Sequence, residues 1–481
     1  MKGRDQFYCD MSANRLKQSR YNLIVQLEAG DALVYNSLRG SLVYVGQNLR
    51  PALAEILDSP SDDPPQAEAP MLREKLIQNG FIVPLSFDEV MYLRGRNKIA
   101  RYSNKVLDLV IALTYDCNFC CPYCCETLRK VYMSREVSDR IISLVSRKIT
   151  SEGVRHIDLE WYGGEPLLCK DTIRYMSRKI LGECTKHNVE YSAQLCTNGY
   201  EMDTHFISEL GQLGISSIHV TLDGPKEFHD RKRYLKGKVP SYDVILKNLK
   251  EVTARWQDKI RIFVRINIDR NNVRSFHPFL EEMKRFSRQI RIYFRPVSST
   301  SGRGKCYSSQ CLGANEFEKE SEDFYDTLFN EGFSGGKLPK PSFLSCGGDL
   351  LNSFSIDPEG TVYKCIYGVT ANEGTVKPLG TLTEMGTIKY DTAELVKWAS
   401  WDALDNAVCA ECKYLPLCLG GCPIFGWPAD SDNQQAQVIP CKEIAKPGLL
   451  DALITSYWKK YGSATSDSSG SSRGATPPSR G

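Results

Sequence analysis

The sequence has no apolar run approaching the roughly 18 uncharged residues that a membrane helix requires, and its start, MKGRDQFYCDMSANRLKQSR, lacks the apolar core of a secretory signal. It also lacks an excess of either charge: 61 basic residues stand against 58 acidic ones. No global field marks the chain as a binder of nucleic acid or another polyanion, so no nucleic-acid partner is expected. Histidine is scarce, at 6 in 481 residues. These absences imply a cytoplasmic globular protein with no membrane partner. Its length allows two to four domains. What the chain has in quantity is cysteine, 18 residues. A reducing compartment and a chain able to bury real cores make disulfides a poor explanation for that number, which leaves metal as the better one.

Residues 1–100 read as a small unit. Tyr21 to Leu27 form a strand, Ala32 to Tyr35 and Ser41 to Val45 a hairpin, Pro51 to Leu57 and Leu72 to Gln78 two helices, and Phe81 to Pro84 a returning strand. That order outlines a winged-helix-like domain. The proline-rich, acidic segment 59–70 between the helices has no periodicity and reads as a loop.

From residue 107 short apolar runs alternate with amphipathic ones, as in parallel strands with crossover helices. Strands are expected at Leu109 to Tyr115, Ile157 to Tyr162, Ser192 to Cys196, Ser217 to Leu222, Ile260 to Asn267 and Ile290 to Val297. Val137, Ile141, Leu144, Val145 and Ile149 recur at helical spacing, as a helix covering a sheet requires. The expected fold class is α/β: a partial (βα)6 TIM-like barrel over 101–300, with chemistry on the loops at the carboxyl ends of its strands. A bridging region follows over 301–345, then a cysteine-rich domain over 346–445. The remainder, 446–481, reads as a carboxyl-terminal helix and a disordered tail.

The loop after the first barrel strand carries Cys117, Cys121 and Cys124 in the spacing C-x3-C-x2-C. Cubane clusters normally take four cysteines, so three thiolates leave one iron open to another ligand. Cys120 and Cys125 offer other pairings, and the local string alone also accommodates zinc or buried thiols. Further along, Cys346, Gly360 and Cys365 are followed by Cys409, Cys412, Cys418 and Cys422 as C-x2-C-x5-C-x3-C, then by Cys441. No histidine lies inside that run, which removes mixed Cys/His zinc sites but not all-cysteine ones.

The triplet resembles the signature of the radical S-adenosylmethionine (SAM) superfamily. Gly163, Gly164, Glu165 and Pro166 resemble that family's GGEP motif, Thr197, Asn198 and Gly199 its TNG segment, and Thr221 to Pro225 with His229 to Arg233 its (S/T)LDGP and HDRxR segments. The later cysteines resemble the SPASM extension. The resemblance implies three 4Fe-4S clusters. One would sit on Cys117, Cys121 and Cys124 and bind S-adenosyl-L-methionine. A first auxiliary cluster would sit on Cys346, Cys365 and Cys422, its fourth ligand being Cys306, Cys311 or an open site, and a second on Cys409, Cys412, Cys418 and Cys441. It further implies that Tyr123, Gly163, Gly164, Glu165, Asn198, Thr221 and Arg233 surround the cofactor. Glycine allows close backbone approach, and a planar guanidinium suits an anion. For Thr221 and Arg233 a helix cap and a surface salt-bridge partner are the plain alternatives.

By the same resemblance the chain is expected to be a radical SAM oxidoreductase of the peptide-maturase type. It would form a 5′-deoxyadenosyl radical, abstract hydrogen from a ribosomally made precursor peptide, and install a thioether or carbon–carbon crosslink. An external one-electron reductant of flavodoxin or ferredoxin type would supply the electron. The amino-terminal unit is similar to PqqD-like domains that capture a leader peptide as an added strand. Formylglycine formation, as in anaerobic sulfatase maturases, is the alternative activity. Those enzymes place an aspartate base after the second SPASM cysteine, whereas here Cys365 precedes Ile366 and Tyr367. A non-catalytic iron–sulfur or zinc protein is the alternative of another class.

Overall fold

The computed structural model describes residues 15–60, 69–256, 259–286, 289–297, 307–333, 338–370, 376–426 and 447–462. Most of the expected loop 59–70, together with Cys306, Cys441 and the carboxyl-terminal tail, lies outside them. No helix among the described residues is long and apolar enough to cross a membrane. The chain divides into two compact units, one comprising 1–100, 336–345 and 402–481, the other 101–335 and 346–401.

In the first unit β1 (Leu16–Gln18) is followed by β2 (Asn22–Gln26), β3 (Ala32–Asn36) and β4 (Ser41–Val45), then by helices Arg50–Asp58 and Ala69–Gln78 and by β5 (Ile82–Pro84). β2, β3 and β4 form an antiparallel sheet in that order. The returning strand β5 pairs instead with β1, an element without enough periodicity to be read in advance. Asn36 explains the tight connection: its Oδ1 accepts from the Leu38 and Arg39 amides at 3.1 and 2.9 Å, and its Nδ2 donates to Ser19 Oγ and Asn22 Oδ1, both at 2.9 Å. Val34, Val43, Leu53, Ile56, Leu72 and Leu76 build the core between sheet and helices. Residues 402–419 belong to this unit through a second cluster, in which Tyr21, Leu38 and Leu93 pack with Leu404, Leu415 and Leu419. The carboxyl-terminal helix Pro447–Tyr461 packs on β2 and β3, and Trp458 stacks on Tyr44 with ring centroids 4.9 Å apart.

The second unit is built on one large, mostly parallel sheet. β6 (Val106–Ala112), β7 (His156–Tyr162), β8 (Glu190–Thr197), β9 (Ile215–Thr221), β10 (Arg261–Ile268) and β11 (Ile290–Pro296) lie side by side in sequence order, all parallel. The six expected strands are present. The first begins and ends three residues earlier than the apolar run suggested, because Thr114 leaves the ladder to bridge Tyr132. Beyond β6 the sheet continues through β12 (Ser353–Ile356), parallel to β6, and the antiparallel β13 (Thr361–Tyr363), β14 (Gly380–Leu382) and β15 (Ile388–Tyr390). Residues 346–401 thus extend the parallel sheet.

Alternation along the strands separates two faces. Leu107, Leu109 and Ile111, Ile157, Leu159 and Trp161, Ile218 and Val220, and Ile262, Val264 and Ile266 are buried with the apolar stripes of the crossover helices. The other face carries Glu160 and Tyr162, Gln194 and Cys196, His219 and Thr221, Arg265 and Asn267, and Tyr293 and Arg295. Parallel sheets are usually covered by helices on both faces and read as near-continuous apolar runs. This one has a polar, accessible second face.

Candidate functional site

The cysteine loop is anchored at both ends. Leu113 N donates to Tyr162 O at 3.0 Å, and Thr114 Oγ1 donates to Val131 O at 2.6 Å while accepting from the Asp116 amide at 2.9 Å. Asp116 accepts from the Cys117 amide at 2.9 Å, Lys236 Nζ at 2.8 Å and Tyr132 OH at 2.6 Å. Burial raises its pKa, but these donors outweigh burial and hold the carboxyl below its ordinary range. Further on, Cys120 N donates to Tyr234 O and Lys236 N to Asn118 O, at 2.9 and 3.0 Å, with Phe119 almost wholly buried between them.

Cys117 and Cys121 are buried and Cys124 is half-buried. Burial pushes Cys117 up to about 12 and raises Cys121 and Cys124 as well. Ligation there would therefore release protons. Backbone amides already point at two of the sulfurs, Phe119 N at Cys117 Sγ (3.4 Å) and Glu126 N at Cys124 Sγ (3.5 Å). Such contacts favour thiolate over thiol. The three cysteines share one loop, and among the described residues no three His, Cys, Asp or Glu side chains stand in metal-holding geometry.

Gly163 and Gly164 lie against this loop. A Cβ on Gly163 would meet Thr114 O at 2.5 Å, and one on Gly164 would meet Asp116 O at 2.3 Å. Gly164 N and Glu165 N donate to those same two carbonyls, each at 2.9 Å. The close backbone neighbour that requires glycine is thus the cysteine loop itself. Glu165 is fully buried and accepts from Thr197 Oγ1 (2.6 Å), Leu167 N (3.0 Å) and Asn198 N (2.8 Å). Burial nevertheless raises its pKa. Asn198 in turn donates to Asn118 Oδ1 at 2.7 Å, returning the network to the cysteine loop. The ends of β7 and β8 and the loop after β6 form one hydrogen-bonded assembly.

Arg233 is buried, so the surface salt-bridge reading does not describe it. Its Nη1 donates to Tyr123 OH at 3.0 Å, and Tyr123 OH donates to Asp223 Oδ2. Asp223 Oδ1 accepts from the Asn267 amide at 2.9 Å, and Asn267 Nδ2 reaches Tyr123 OH at 3.3 Å. Arg233 Nε is buried without a hydrogen-bond partner, and Cys121 is among the groups that hold the guanidinium charged. A buried cation with an unused donor beside the cysteine loop fits an anionic group, as a cofactor carboxylate would supply. Thr221, half-buried at the end of β9, lies opposite Arg265 in register.

The segment after β9 also holds residues whose roles the sequence did not disclose. Asp230 Oδ1 accepts from the Ser241 and Tyr242 amides, both at 2.9 Å, and starts the helix Tyr242–Trp256. His229 is fully buried, and burial keeps it neutral. Ser241 Oγ donates to Arg233 O at 2.6 Å, so His229 Nε2 donates to that hydroxyl (3.0 Å) and Nδ1 accepts the Asp223 amide (3.2 Å). Histidine thereby braces both Asp223 and Arg233. Lys232 and Asp269 form a buried ion pair at 3.1 Å.

Among the later cysteines, Cys346 and Cys365 fall in the second unit and Cys409, Cys412, Cys418 and Cys422 in the first. A Cβ on Gly348 would lie 3.5 Å from Cys346 Sγ and 3.2 Å from Lys364 O, so Cys346 stands near the residue preceding Cys365. Lys364 Nζ donates to the carbonyls of Leu350, Leu351 and Ser353 and fixes that region. Asn406 Oδ1 accepts from the Val408 and Cys409 amides at 3.0 and 3.2 Å, starting the turn that carries Cys409 and Cys412. Cys311 Sγ lies 3.6 Å from Tyr307 O, beside the Arg270 loop.

On the accessible face, Glu160 is pushed up to about 7 by burial and by the Asp108 charge, with a hydrogen bond to Gln194 opposing them. Burial, reinforced by Arg265 and Arg261, brings His219 down to about 4. The period-two alternation of the strands held the signal for this polar face.

Residues 111–277 match the family model of the Radical SAM superfamily. The chain is 23% identical over 345 residues to a cysteine-type anaerobic sulfatase-maturating enzyme of Clostridium novyi (strain NT), covering 65% of this chain and 87% of that protein. It is 21% identical over 370 residues to the serine-type enzyme of Bacteroides thetaiotaomicron, covering 68% and 84%. Native anSMEcpe with bound AdoMet superposes with a TM-score of 0.52 at 17% identity, over 74% of this chain and 98% of that one. The same protein with bound AdoMet and the Cp18Cys peptide gives 0.50 at 16%, over 75% and 97%.

Proposed function

We propose that the chain, whose residues 111–277 match the Radical SAM superfamily model, is a radical SAM enzyme that modifies a peptide, abstracting hydrogen from a precursor and leaving a thioether or carbon–carbon crosslink. The observation that carries this reading is the juxtaposition of the cysteine loop, the buried Arg233 with its unused donor, and a polar, accessible sheet face. When bound, a 4Fe-4S cluster and S-adenosylmethionine supply reductive sulfonium cleavage and hence the radical.

Cys117, Cys121 and Cys124 would hold that cluster. Arg233 takes the cofactor's carboxylate, with Tyr123, Asp223 and Asn267 fixing the guanidinium. Glu165 and Asn198 keep the β7 and β8 ends on the cysteine loop, and Gly163 and Gly164 let them lie close. Thr221 borders the same space. Cys346, Cys365 and Cys422, and Cys409, Cys412, Cys418 and Cys441, would hold the two auxiliary clusters, which would supply an electron acceptor. The strands β6–β11 act as the partial barrel, the amino-terminal three-stranded sheet offers an edge for a leader strand, and an external reductant of flavodoxin or ferredoxin type starts the cycle.

Formylglycine formation is the second reading, favoured by the similarity to two sulfatase-maturating enzymes. Ile366 after Cys365, where such an enzyme would carry its aspartate, opposes it. Anaerobic reconstitution followed by mass spectrometry separates the two. The proposal expects about twelve irons per chain, release of 5′-deoxyadenosine, and loss of two hydrogens from a coexpressed precursor peptide. Formylglycine on a sulfatase-type peptide replaces it with the second reading, and zinc without iron and sulfide sinks both.

A further inference from the structure

Arg265 differs from three buried cations of the second unit. Lys232 pairs with Asp269, Arg101 with Asp349, and Arg233 belongs to the Tyr123 and Asp223 network. Arg265 projects from the accessible face of β10 and is exposed. Its Nε donates to Asn267 Oδ1 at 2.9 Å, which orients the guanidinium. The groups that act on it electrostatically are Tyr293, Cys196, Tyr162 and Tyr123, and among the described residues no carboxylate pairs with it. The result is an oriented cation without a counter-charge, on the face left uncovered by the crossover helices.

Its position relative to the cysteine loop is set by two hydrogen-bonded steps. Arg265 holds Asn267, and Asn267 Nδ2 reaches Tyr123 OH at 3.3 Å. Tyr123 lies between Cys121 and Cys124 in sequence. A group bound on the terminal nitrogens of Arg265 therefore sits beside the space assigned to the cofactor, while Arg233 has its own separate place in the network. A guanidinium held through Nε presents a planar two-nitrogen fork, which matches a carboxylate in bidentate fashion and gains strength where water is partly excluded.

We propose that Arg265 anchors a carboxylate of the peptide substrate and so sets which carbon faces the radical. This deepens the peptide-modifying reading and rests on it. The carboxylate comes either from an aspartate or glutamate side chain or from a peptide carboxyl terminus, and the recognition chemistry is the same for both.

The test uses the full-length, reconstituted enzyme with S-adenosylmethionine and reductant, and three perdeuterated probes: N-acetyl-aspartate amide, N-acetyl-asparagine with a free carboxyl terminus, and neutral N-acetyl-asparagine amide. The readout is the fraction of 5′-deoxyadenosine that carries deuterium. At equal concentration, one of the two carboxylate probes is expected to label at least about tenfold more than the neutral amide, as expected for a hydrogen bond to a charged group. Which of them does so identifies the source. The R265Q variant, checked for iron content and thermal unfolding, should erase that preference, and R265K should restore part of it. Equal labelling from the neutral amide, no label from either carboxylate probe, or a preference that survives in folded R265Q overturns the proposal. Absence of 5′-deoxyadenosine altogether overturns the underlying reading instead, and the wild-type comparison requires no variant.

Discussion

Replacing Gly164 by alanine adds one methyl group where the structure has no room for it. The new Cβ would stand 2.3 Å from Asp116 O and 2.7 Å from the same carbonyl carbon, and both obstacles are backbone. No side-chain rotation relieves the contact, so the β7 end and the cysteine loop must part by about 1 Å to reach ordinary separations. That movement weakens two 2.9 Å bonds, Gly164 N to Thr114 O and Glu165 N to Asp116 O. Overpacking costs about 1–3 kcal/mol, and each weakened bond adds about 0.5–1.5 kcal/mol. The expected loss is about 2–6 kcal/mol, or a fall in Tm of roughly 4–24 °C at about 2–4 °C per kcal/mol. Gly182 provides the matched control. It lies in the helix Lys170–His187, and a Cβ there meets nothing within 4 Å. Gly182→Ala should be neutral or stabilise by up to about 1 kcal/mol through helix propensity. Anaerobic thermal unfolding of both variants, with iron content per chain after reconstitution, is the assay. G164A should lower both quantities and G182A neither. Equal Tm values for the two variants would refute the assignment of these glycines to contact with the cysteine loop.

The Glu165→Gln substitution sets an amide N–H against a buried donor, at best sacrificing the Asn198 bond, and should cost about 1–3 kcal/mol by urea unfolding; Glu165→Ala strands three donors and should cost more. For Glu160, the native pKa of about 7 lies above the ordinary 4.5, so between those values the native state holds a proton that the unfolded state has released. Its contribution is therefore fully present below about pH 4.5 and declines as pH rises toward 7, at up to about 1.4 kcal/mol per pH unit. Glu160→Gln should flatten the stability profile between pH 5 and 7, and an unchanged slope would remove Glu160 as its source. Arg233→Gln should weaken S-adenosylmethionine binding at least about tenfold in equilibrium dialysis of the reconstituted enzyme; unchanged affinity would detach Arg233 from the cofactor.

The strands of the parallel sheet were legible because their apolar residues alternate over seven or eight positions against amphipathic helices, and the cysteine spacings survive as text. Two features were not legible, for different physical reasons. The pairing of β12 with β6 joins residues about 245 apart, and Ser353 to Ile356 is too short to declare a partner by pattern. Only the structure shows Ser353 Oγ bonded to Asp108 Oδ2 at 2.8 Å across that junction. The placement of residues 402–419 with the amino-terminal unit depends on Leu404, Leu415 and Leu419 meeting Tyr21, Leu38 and Leu93, a contact that no local periodicity encodes. Gly163 and Gly164 were read as points where backbone comes close to the cofactor, whereas the neighbour the structure shows there is the backbone of the cysteine loop.

The polar face follows from a constraint that sequence states only indirectly. Ile262, Val264 and Ile266 are fixed by packing under the crossover helices, so Arg265 and Asn267 have no choice but the opposite side. A parallel sheet covered by helices on both sides would make a charged residue there intolerable without a partner. Here the uncovered side keeps Arg265 hydrated while Asn267 aims it, so the charge costs little in the absence of a ligand. Shifting β10 by one residue would bury that guanidinium and expose Ile266 together. The same alternation that stabilises the fold thus places a directed cation beside the cysteine loop, coupled through Asn267 to Tyr123.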